Sequence, residues 1–286
     1  MSVWAAPTLR SMQKESRVAI VVGNSSYADH RVPTATKNAL KMKKFLEQNG
    51  FYVYYGEDLG RQEFASLLKK FYKKLRPSGM GLVYYSGHAV QTKGKNYLLT
   101  VNNGISDESM IVRKSIPLNA IYSGMESSYD RLNIVVLDSA FETPFGTLFE
   151  PNKSGLSAIK SPKKQVTFMA GRPDTYNDST TFTDDFITLA KETGLELTAL
   201  KTKLTALRKT HRQQKPQITI TQSQPFYFVL PARLPSADEL AYTKVKDSRS
   251  KKELRKFIGK YPKSPFAKKA QKQLNGLVRT EAASDE

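Results

Sequence analysis

Short runs of β-branched and aromatic residues that are apolar on both faces recur along this chain, and amphipathic segments separate them. The clearest runs are residues 17–24, 81–86 and 132–137, while residues 35–48 and 62–75 carry apolar side chains at helical spacing. Strands that are apolar on both faces must be covered on both sides. The alternation therefore predicts an α/β fold with a mostly parallel central sheet between two helical layers.

Weaker patterns extend this prediction toward the end of the sheet. Residues 96–101 are predicted to form part of a hairpin, and residues 165–169 a fifth strand. The apolar run 225–230 (PFYFVL) is predicted to be the final strand. Between these, a helix is predicted from the stripe formed by Leu197, Leu200, Leu204 and Leu207.

The composition changes after Pro231. Thirteen Lys and Arg residues lie between Lys244 and Arg279, and apolar positions at helical spacing predict two or three short helices, which we expect to form a small α-helical hairpin. We therefore divide the chain into an N-terminal extension (1–16), an α/β domain (17–231), a basic helical tail (237–279) and a disordered end (280–286).

The chain of 286 residues contains no cysteine and carries a formal net charge of +19. The missing cysteine excludes disulfides, thiolate metal sites and thiol catalysis in the chain as it stands. The positive charge suits an anionic partner such as nucleic acid, a lipid surface or an acidic protein, although lysines that are only solvated would give the same composition. No apolar run approaches the ~20 residues of a transmembrane helix.

Ligand-type residues are sparse. The three histidines, His30, His88 and His211, are far apart in the sequence, and no acidic cluster has the spacing of a calcium site. No glycine-rich phosphate loop is present. We therefore predict no metal and no cofactor.

The N-terminal residues leave the compartment open. The start lacks the charged and apolar regions of a signal peptide. Residues 3–7 (VWAAP) allow two interpretations, the end of a cleaved export signal in a periplasmic or exported protein, or an ordinary terminus in a cytoplasmic one.

Several sequence segments together resemble a known family. They are RVAIVVGNSSY at the start, YYSGHAVQ around His88, GKNYLL after it and NIVVLDSAFETPF around Ala140. Over residues 17 to about 230 the chain resembles the catalytic domain of bacterial caspase-like and metacaspase-type cysteine peptidases. His88 precedes position 140 by 52 residues, close to the caspase spacing of about 50. The resemblance implies a caspase-like three-layer fold.

The resemblance also implies roles for individual residues. His88 matches the catalytic histidine, and Ala140 occupies the nucleophile position without a thiol. The N–H groups of Ala89 and Ala140 match the oxyanion-binding positions. Asp138, together with Asn38 at a position where the family usually has Asp, matches the pocket for the basic side chain that precedes the cut bond.

The missing thiol has two explanations. In the first, the chain is a natural pseudopeptidase that acts by binding a protein or peptide in the former substrate cleft; the accompanying departures at Asn38, Ala89, Ser139 and Phe141 favour this hypothesis. In the second, it is an engineered inactive variant of an endopeptidase that cuts after Arg or Lys. Ser139 is a poor substitute nucleophile because strand alternation directs it away from the face of position 140.

A hypothesis of a different class concerns the basic tail. An anion-binding module at residues 237–279 would bind nucleic acid or acidic lipid with a strong salt dependence.

Overall fold

The computed structural model describes residues 8–28, 30–75, 77, 79–102, 104–127, 132–139, 141–142, 145, 154–160, 162–177, 181–211, 213–221 and 224–282. The nucleophile position, Ala140, lies outside the described residues, as do parts of the predicted extension (1–7) and of the predicted disordered end (283–286). The chain divides into two compact units, one ending at Pro231 and the other beginning at Ala232.

The first unit is built on a six-stranded sheet of order β2-β1-β3-β7-β8-β9, in which only β9 runs antiparallel to its neighbour. A second, antiparallel sheet has the order β4-β5-β6. The strands are β1 Arg17–Gly23, β2 Phe51–Glu57, β3 Met80–Gly87, β4 Ala89–Thr92, β5 Lys95–Leu98, β6 Ile116–Pro117, β7 Leu132–Ser139, β8 Gln165–Met169 and β9 Gln217–Ile220.

Ten helices are assigned in the described residues. They are α1 Leu9–Gln13, α2 Ala35–Gln48, α3 Arg61–Lys74, α4 Glu108–Lys114, α5 Leu118–Glu126, α6 Phe182–Ala190, α7 Leu197–Thr210, α8 Ala237–Val245, α9 Lys251–Lys260 and α10 Pro265–Ala282.

Helices cover both faces of the central sheet. Ala19 and Val21 of β1 pack in one core with α2, α6 and α7, whereas Val18 and Ile20 pack in the other with α3 and α5. Alternate side chains of a strand point to opposite faces, so each buried strand contributes to both cores. The predicted three-layer α/β fold with a mostly parallel sheet is confirmed.

The prediction of the last strand was wrong. Residues 225–230 form no sheet strand; Phe226, Tyr227 and Phe228 are buried, and Arg17 donates hydrogen bonds to the main-chain oxygens of Tyr227 and Phe228. The strand that closes the sheet is β9, with its partly exposed sequence QITI. An aromatic run resembles a buried strand by composition, but here a guanidinium takes two carbonyl groups that a neighbouring strand would otherwise bind.

Smaller differences concern short elements. The predicted helix at 116–125 is instead β6 followed by α5, and neither α1 nor α4 was predicted. Asp107 caps α4 by accepting hydrogen bonds from the amides of Ser109 and Met110, which is a common way for a short polar segment to start a helix.

The second unit consists of three helices. α9 and α10 pack together as the predicted hairpin, and α8 packs against both. Leu254, Phe257, Ala270 and Leu274 form its buried core. In the described part of the chain, no helix has the length and apolar character needed to cross a membrane.

Candidate functional site

His88 follows directly after the end of β3. This strand lies between β1 and β7, and Gly87 is paired in register with Ser139 of β7. Ala140 is the next residue after Ser139. The carboxyl ends of parallel strands are where sheets of this kind bind ligands, so we take this edge, around His88 and position 140, as the candidate functional site.

Gly87 has a conformation that only glycine adopts without strain. Its φ is +146°, and an added Cβ would lie 2.6 Å from the hydroxyl oxygen of Tyr27, 2.8 Å from that of Tyr85 and 3.0 Å from the main-chain oxygen of Asn24. Both the backbone angle and the surrounding space therefore require glycine before the histidine.

Two buried tyrosines hold the main chain of His88. The N–H of His88 donates to the Tyr27 hydroxyl at 3.0 Å, and the Tyr85 hydroxyl is placed to donate to the His88 carbonyl at 2.7 Å. The two hydroxyl oxygens are 2.9 Å apart. Burial raises the pKa of both phenols well above the usual range, although hydrogen bonds partly oppose this for Tyr27. Both therefore stay neutral at ordinary pH and keep their donor protons.

The imidazole of His88 is held on one side and unsatisfied on the other. Its Nε2 lies 2.6 Å from the main-chain oxygen of His30. A carbonyl can only accept, so the ring proton lies on Nε2 and Nδ1 carries the lone pair. Nδ1 is buried and has no hydrogen-bond partner among the described residues. The Tyr27 ring packs edge-on against the imidazole at a centroid distance of 4.6 Å.

The environment of His88 favours the uncharged ring. Its side chain is 0% exposed, and burial lowers its pKa from 6.5 to about 4, with the hydrogen bond to His30 opposing this shift. Desolvation disfavours the imidazolium more than one carbonyl can stabilise it. At neutral pH the imidazole is therefore neutral, and its acceptor nitrogen Nδ1 is buried and lacks a hydrogen-bond donor among the described residues.

The loop that supplies the His30 carbonyl is fixed by Asp58. One carboxylate oxygen accepts from the amides of Ser25 and Ser26 at 2.6 and 2.8 Å, and the other accepts from the Ser26 hydroxyl at 2.6 Å. Burial raises the pKa of Asp58, but these hydrogen bonds outweigh that effect and leave it below the usual value. Asp58 therefore fixes the main chain at Ser25 and Ser26, at the start of the loop that supplies the His30 carbonyl.

Asp138 and Asn38 are in contact. The Asn38 amide donates to the Asp138 carboxylate at 3.1 Å, and the Thr183 hydroxyl donates to the same oxygen at 2.6 Å. Asp138 is 0% exposed, and burial raises its pKa from 3.8 to about 6 despite these hydrogen bonds. The structure thus brings the two residues together next to the site, while their role in binding a basic side chain stays a prediction.

The remaining predicted positions have different outcomes. Ala89 is buried and begins β4, and its oxyanion role stays a prediction. Ser139 is buried opposite Gly87, on the side of β7 that also carries Leu137. His211 lies at the end of α7, where its Nδ1 is 3.5 Å from a carboxylate oxygen of Asp185. No described group of three or more His, Asp or Glu side chains could hold a metal ion.

The sequence interpretation missed His30 and Asp58. His30 was considered only as one of three histidines far apart in the sequence, yet its main-chain oxygen binds His88 and its Nδ1 lies 3.8 Å from a carboxylate oxygen of Glu142. A signal for Asp58 was available in general rules: consecutive strands joined by a helix often pair in parallel, which would place Asp58, after β2, near the loop after β1. No side-chain pattern indicates a carbonyl contact such as that of His30.

Comparisons with known proteins agree with this architecture. The family model of the caspase domain of peptidase family C14 matches residues 16–227. The chain is also similar to the mucosa-associated lymphoid tissue lymphoma translocation protein 1 homolog of Mus musculus, with 26% identity over 128 residues, and to the Homo sapiens protein of that name, with 25% identity over 128 residues. Each match covers 43% of this chain but 15% of the relative's length.

Proposed function

Because this chain belongs to the caspase-domain peptidase family, we propose that it is a catalytically silent member that binds an extended segment of a partner protein at the carboxyl edge of its central sheet. The observation that carries this proposal is the state of His88. Its ring is held by the His30 carbonyl, and the acceptor nitrogen faces no hydrogen-bond donor among the described residues.

The residues present at the site support the proposed absence of peptidase activity. Covalent peptide hydrolysis needs a nucleophile beside the histidine, and the methyl group of Ala140 cannot attack a carbonyl. Direct attack by water would need a competent general base, and a histidine whose pKa is about 4 is far from the operating pH at which such catalysis works best. The site therefore retains the proton acceptor of a peptidase without the group that forms the acyl intermediate.

The same histidine supports binding. A buried acceptor without a partner costs about 1–3 kcal/mol. Because Nδ1 is buried, a ligand would recover part of that cost by donating an N–H or O–H to it once the residues that cover the ring move aside. Asp138 adds an acidic group to this region, and its carboxylate oxygen Oδ1 has no hydrogen-bond partner among the described residues. A segment that carries Arg or Lys is the ligand that suits an acidic group.

The test for absence of activity compares the wild type, His88→Gln, Ala140→Cys and the double variant Ala140→Cys/His88→Gln on fluorogenic peptides ending in Arg or Lys. We expect no turnover from the wild type. Hydrolysis by the wild type that disappears in His88→Gln would refute the proposal. Turnover by Ala140→Cys that is lost in the double variant would favour the alternative, in which this chain is the inactive form of an endopeptidase that cuts after Arg or Lys.

The test of binding uses fluorescence anisotropy with an extended peptide that contains one Arg, and a matched peptide with Glu in its place. We expect the Arg peptide to bind more tightly, and we expect Asp138→Asn to weaken its binding and to leave the Glu peptide unaffected. Equal affinity for the two peptides would contradict the proposed chemistry of the ligand.

A second candidate function rests on the charge of the C-terminal unit. Residues 254–280 contain eight Lys and Arg and no Asp or Glu, and the outer positions Lys268 and Lys272 of α10 are exposed. This unit would bind a phosphate-bearing polyanion, with affinity that falls steeply as salt rises. Binding of duplex DNA that persists unchanged in Lys268→Glu/Lys272→Glu would exclude it.

A further inference from the structure

The strand β2 ends the central sheet. It pairs with β1 on its inner side, and no described strand pairs with its outer side. A free edge presents unpaired N–H and C=O groups that can accept another strand. The strand β2 is seven residues long, and its first six residues (FYVYYG) include neither a charged residue nor proline.

Edges of this composition are normally protected. Proteins protect free edges with prolines, bulges, very short strands or charged residues within the strand. β2 has high β-propensity and none of these features in residues 51–56, and Tyr52 is 54% exposed. The long, uncharged and aromatic outer edge of β2 therefore indicates a surface that binds another chain.

Lysines from both flanking helices stand beside the tyrosines of this edge. The Lys74 ammonium of α3 lies 4.8 Å from the centre of the Tyr52 ring, and the Lys43 ammonium of α2 lies 5.8 Å from that of Tyr55. Lys43 also pairs with Glu47 at 2.9 Å. Lys70 of α3 lines a cavity of about 450 Å³ beside Tyr55. A strand added here would meet the positive charge of Lys70 and Lys74 on its α3 side, whereas on its α2 side Lys43 is already paired with Glu47.

Charge decides which occupant fits. Together α2 and α3 carry eight Lys and one Arg against two Glu. A second copy of this chain would bring the same charges to the same edge, and like charges across an interface are unfavourable. An acidic segment would be attracted instead, and its alternate side chains would point toward the α2 and α3 sides in turn.

We infer that the outer edge of β2 binds an extended acidic peptide segment of a partner protein, which adds to the central sheet as a seventh strand. Main-chain hydrogen bonds supply the affinity in this mode, and pockets for alternate side chains supply the selectivity. The acidic side chains pair with Lys74 and Lys70 on the α3 side, and the alternate apolar side chains point to the α2 side. This inference does not depend on the proposed function, because the edge is separated from β3 and His88 by β1.

The test measures binding of the full chain to a labelled nine-residue peptide of alternating Glu and Val, with a Lys–Val peptide and a single-stranded DNA oligonucleotide as comparisons. The diagnostic variant is Lys70→Glu/Lys74→Glu. The matched control is Lys268→Glu/Lys272→Glu, which reverses the same charges at the same helical spacing on the exposed face of α10. Thermal unfolding followed by circular dichroism checks that both variants are folded.

We expect the Glu–Val peptide to bind and the Lys–Val peptide not to bind. The diagnostic variant should weaken binding about tenfold, because two attractive surface pairs become repulsive, while the control should change it less than twofold. Hydrogen exchange should slow at the β2 amides that face outward when the peptide is bound.

Three results would overturn the inference. The first is an equal loss of affinity in both variants, because the attraction would then be a property of the net charge. The second is binding without any added protection of the β2 amides. The third is tight binding of the oligonucleotide that none of the peptides can displace and that the diagnostic variant weakens. This edge would then be a nucleic-acid surface.

Discussion

The imidazole Nε2 of His88 lies 2.6 Å from the main-chain oxygen of His30, so a loop after β1 fixes the orientation of a side chain at the end of β3. This contact makes Nδ1 the basic atom of the ring. The ring is therefore fixed by a main-chain group, while the sequence places alanine, which has no proton to give, at position 140.

We predict that Gly87→Ala destabilises the protein by about 3 kcal/mol, because a side chain is strained at φ +146° and its Cβ would overlap the Tyr27 and Tyr85 hydroxyls. The control is Gly94→Ala. Gly94 also has a positive φ, +70°, but its Cβ would meet nothing within 4 Å, so the expected cost is about 1 kcal/mol. Urea unfolding measures both values, and equal costs would show that the tyrosine pair is not a steric constraint.

We predict that Asp58→Asn loosens the loop that holds His88. The amide side chain still accepts from the Ser25 and Ser26 amides but loses the negative charge, so the expected loss of stability is about 1–2 kcal/mol. Hydrogen exchange at residues 25–32 should speed up, and the imidazole NMR signals of His88 should shift. A variant with unchanged His88 signals would show that Asp58 does not position this ring.

We predict that His88 reduces stability in acid. The folded-state pKa of about 4 lies below the unfolded value of 6.5, so the unfolded chain binds the proton more readily between these values. The contribution of the neutral ring is therefore complete above pH 6.5 and is lost as the pH falls toward 4, by about 3 kcal/mol in total. In urea unfolding from pH 4 to 7, the unfolding free energy of the wild type should therefore rise with pH relative to that of His88→Gln, by about 3 kcal/mol in total. The same slope in both proteins would contradict it.

We predict the opposite dependence for Asp138. Its folded-state pKa of about 6 lies above the unfolded value of 3.8, so the folded protein binds the proton more readily between these values. Stability therefore falls as the pH rises from about 4 to 6, by about 3 kcal/mol. Asp138→Asn should gain stability relative to the wild type over this range. Asp184→Asn, at an exposed carboxylate bound to Lys41, should not show this gain.

The effects of His88 and Asp138 oppose each other between pH 4 and 6. The wild type should therefore show a flatter pH profile than either single variant, and the double variant His88→Gln/Asp138→Asn should resemble the wild type in slope. A double variant that keeps the slope of one single variant would mean that a group other than His88 or Asp138 produces that slope.

The helical and strand patterns predicted most of the sheet because both depend on local periodicity. The predicted bounds of α2 and of β8 agree with the observed bounds. In each segment, only one type of secondary structure places all the apolar side chains in the core. The run 225–230 was wrongly predicted as a sheet strand. It packs against Phe186 and is bound by Arg17, and its strand-like pairing among the described residues is the isolated bridge between Tyr227 and Glu196.

The amino-acid sequence by itself determined that the thiol nucleophile is missing and that His88 is present, because a thiol is either encoded at position 140 or absent. It also determined the alternation that produces the three layers. Only the tertiary structure decided that His30 orients His88, that Asp58 holds the loop and that β2 ends the sheet with a free edge. Those relationships join residues or elements through main-chain groups, and every residue except proline carries the same main-chain donor and acceptor, so no residue type signals them.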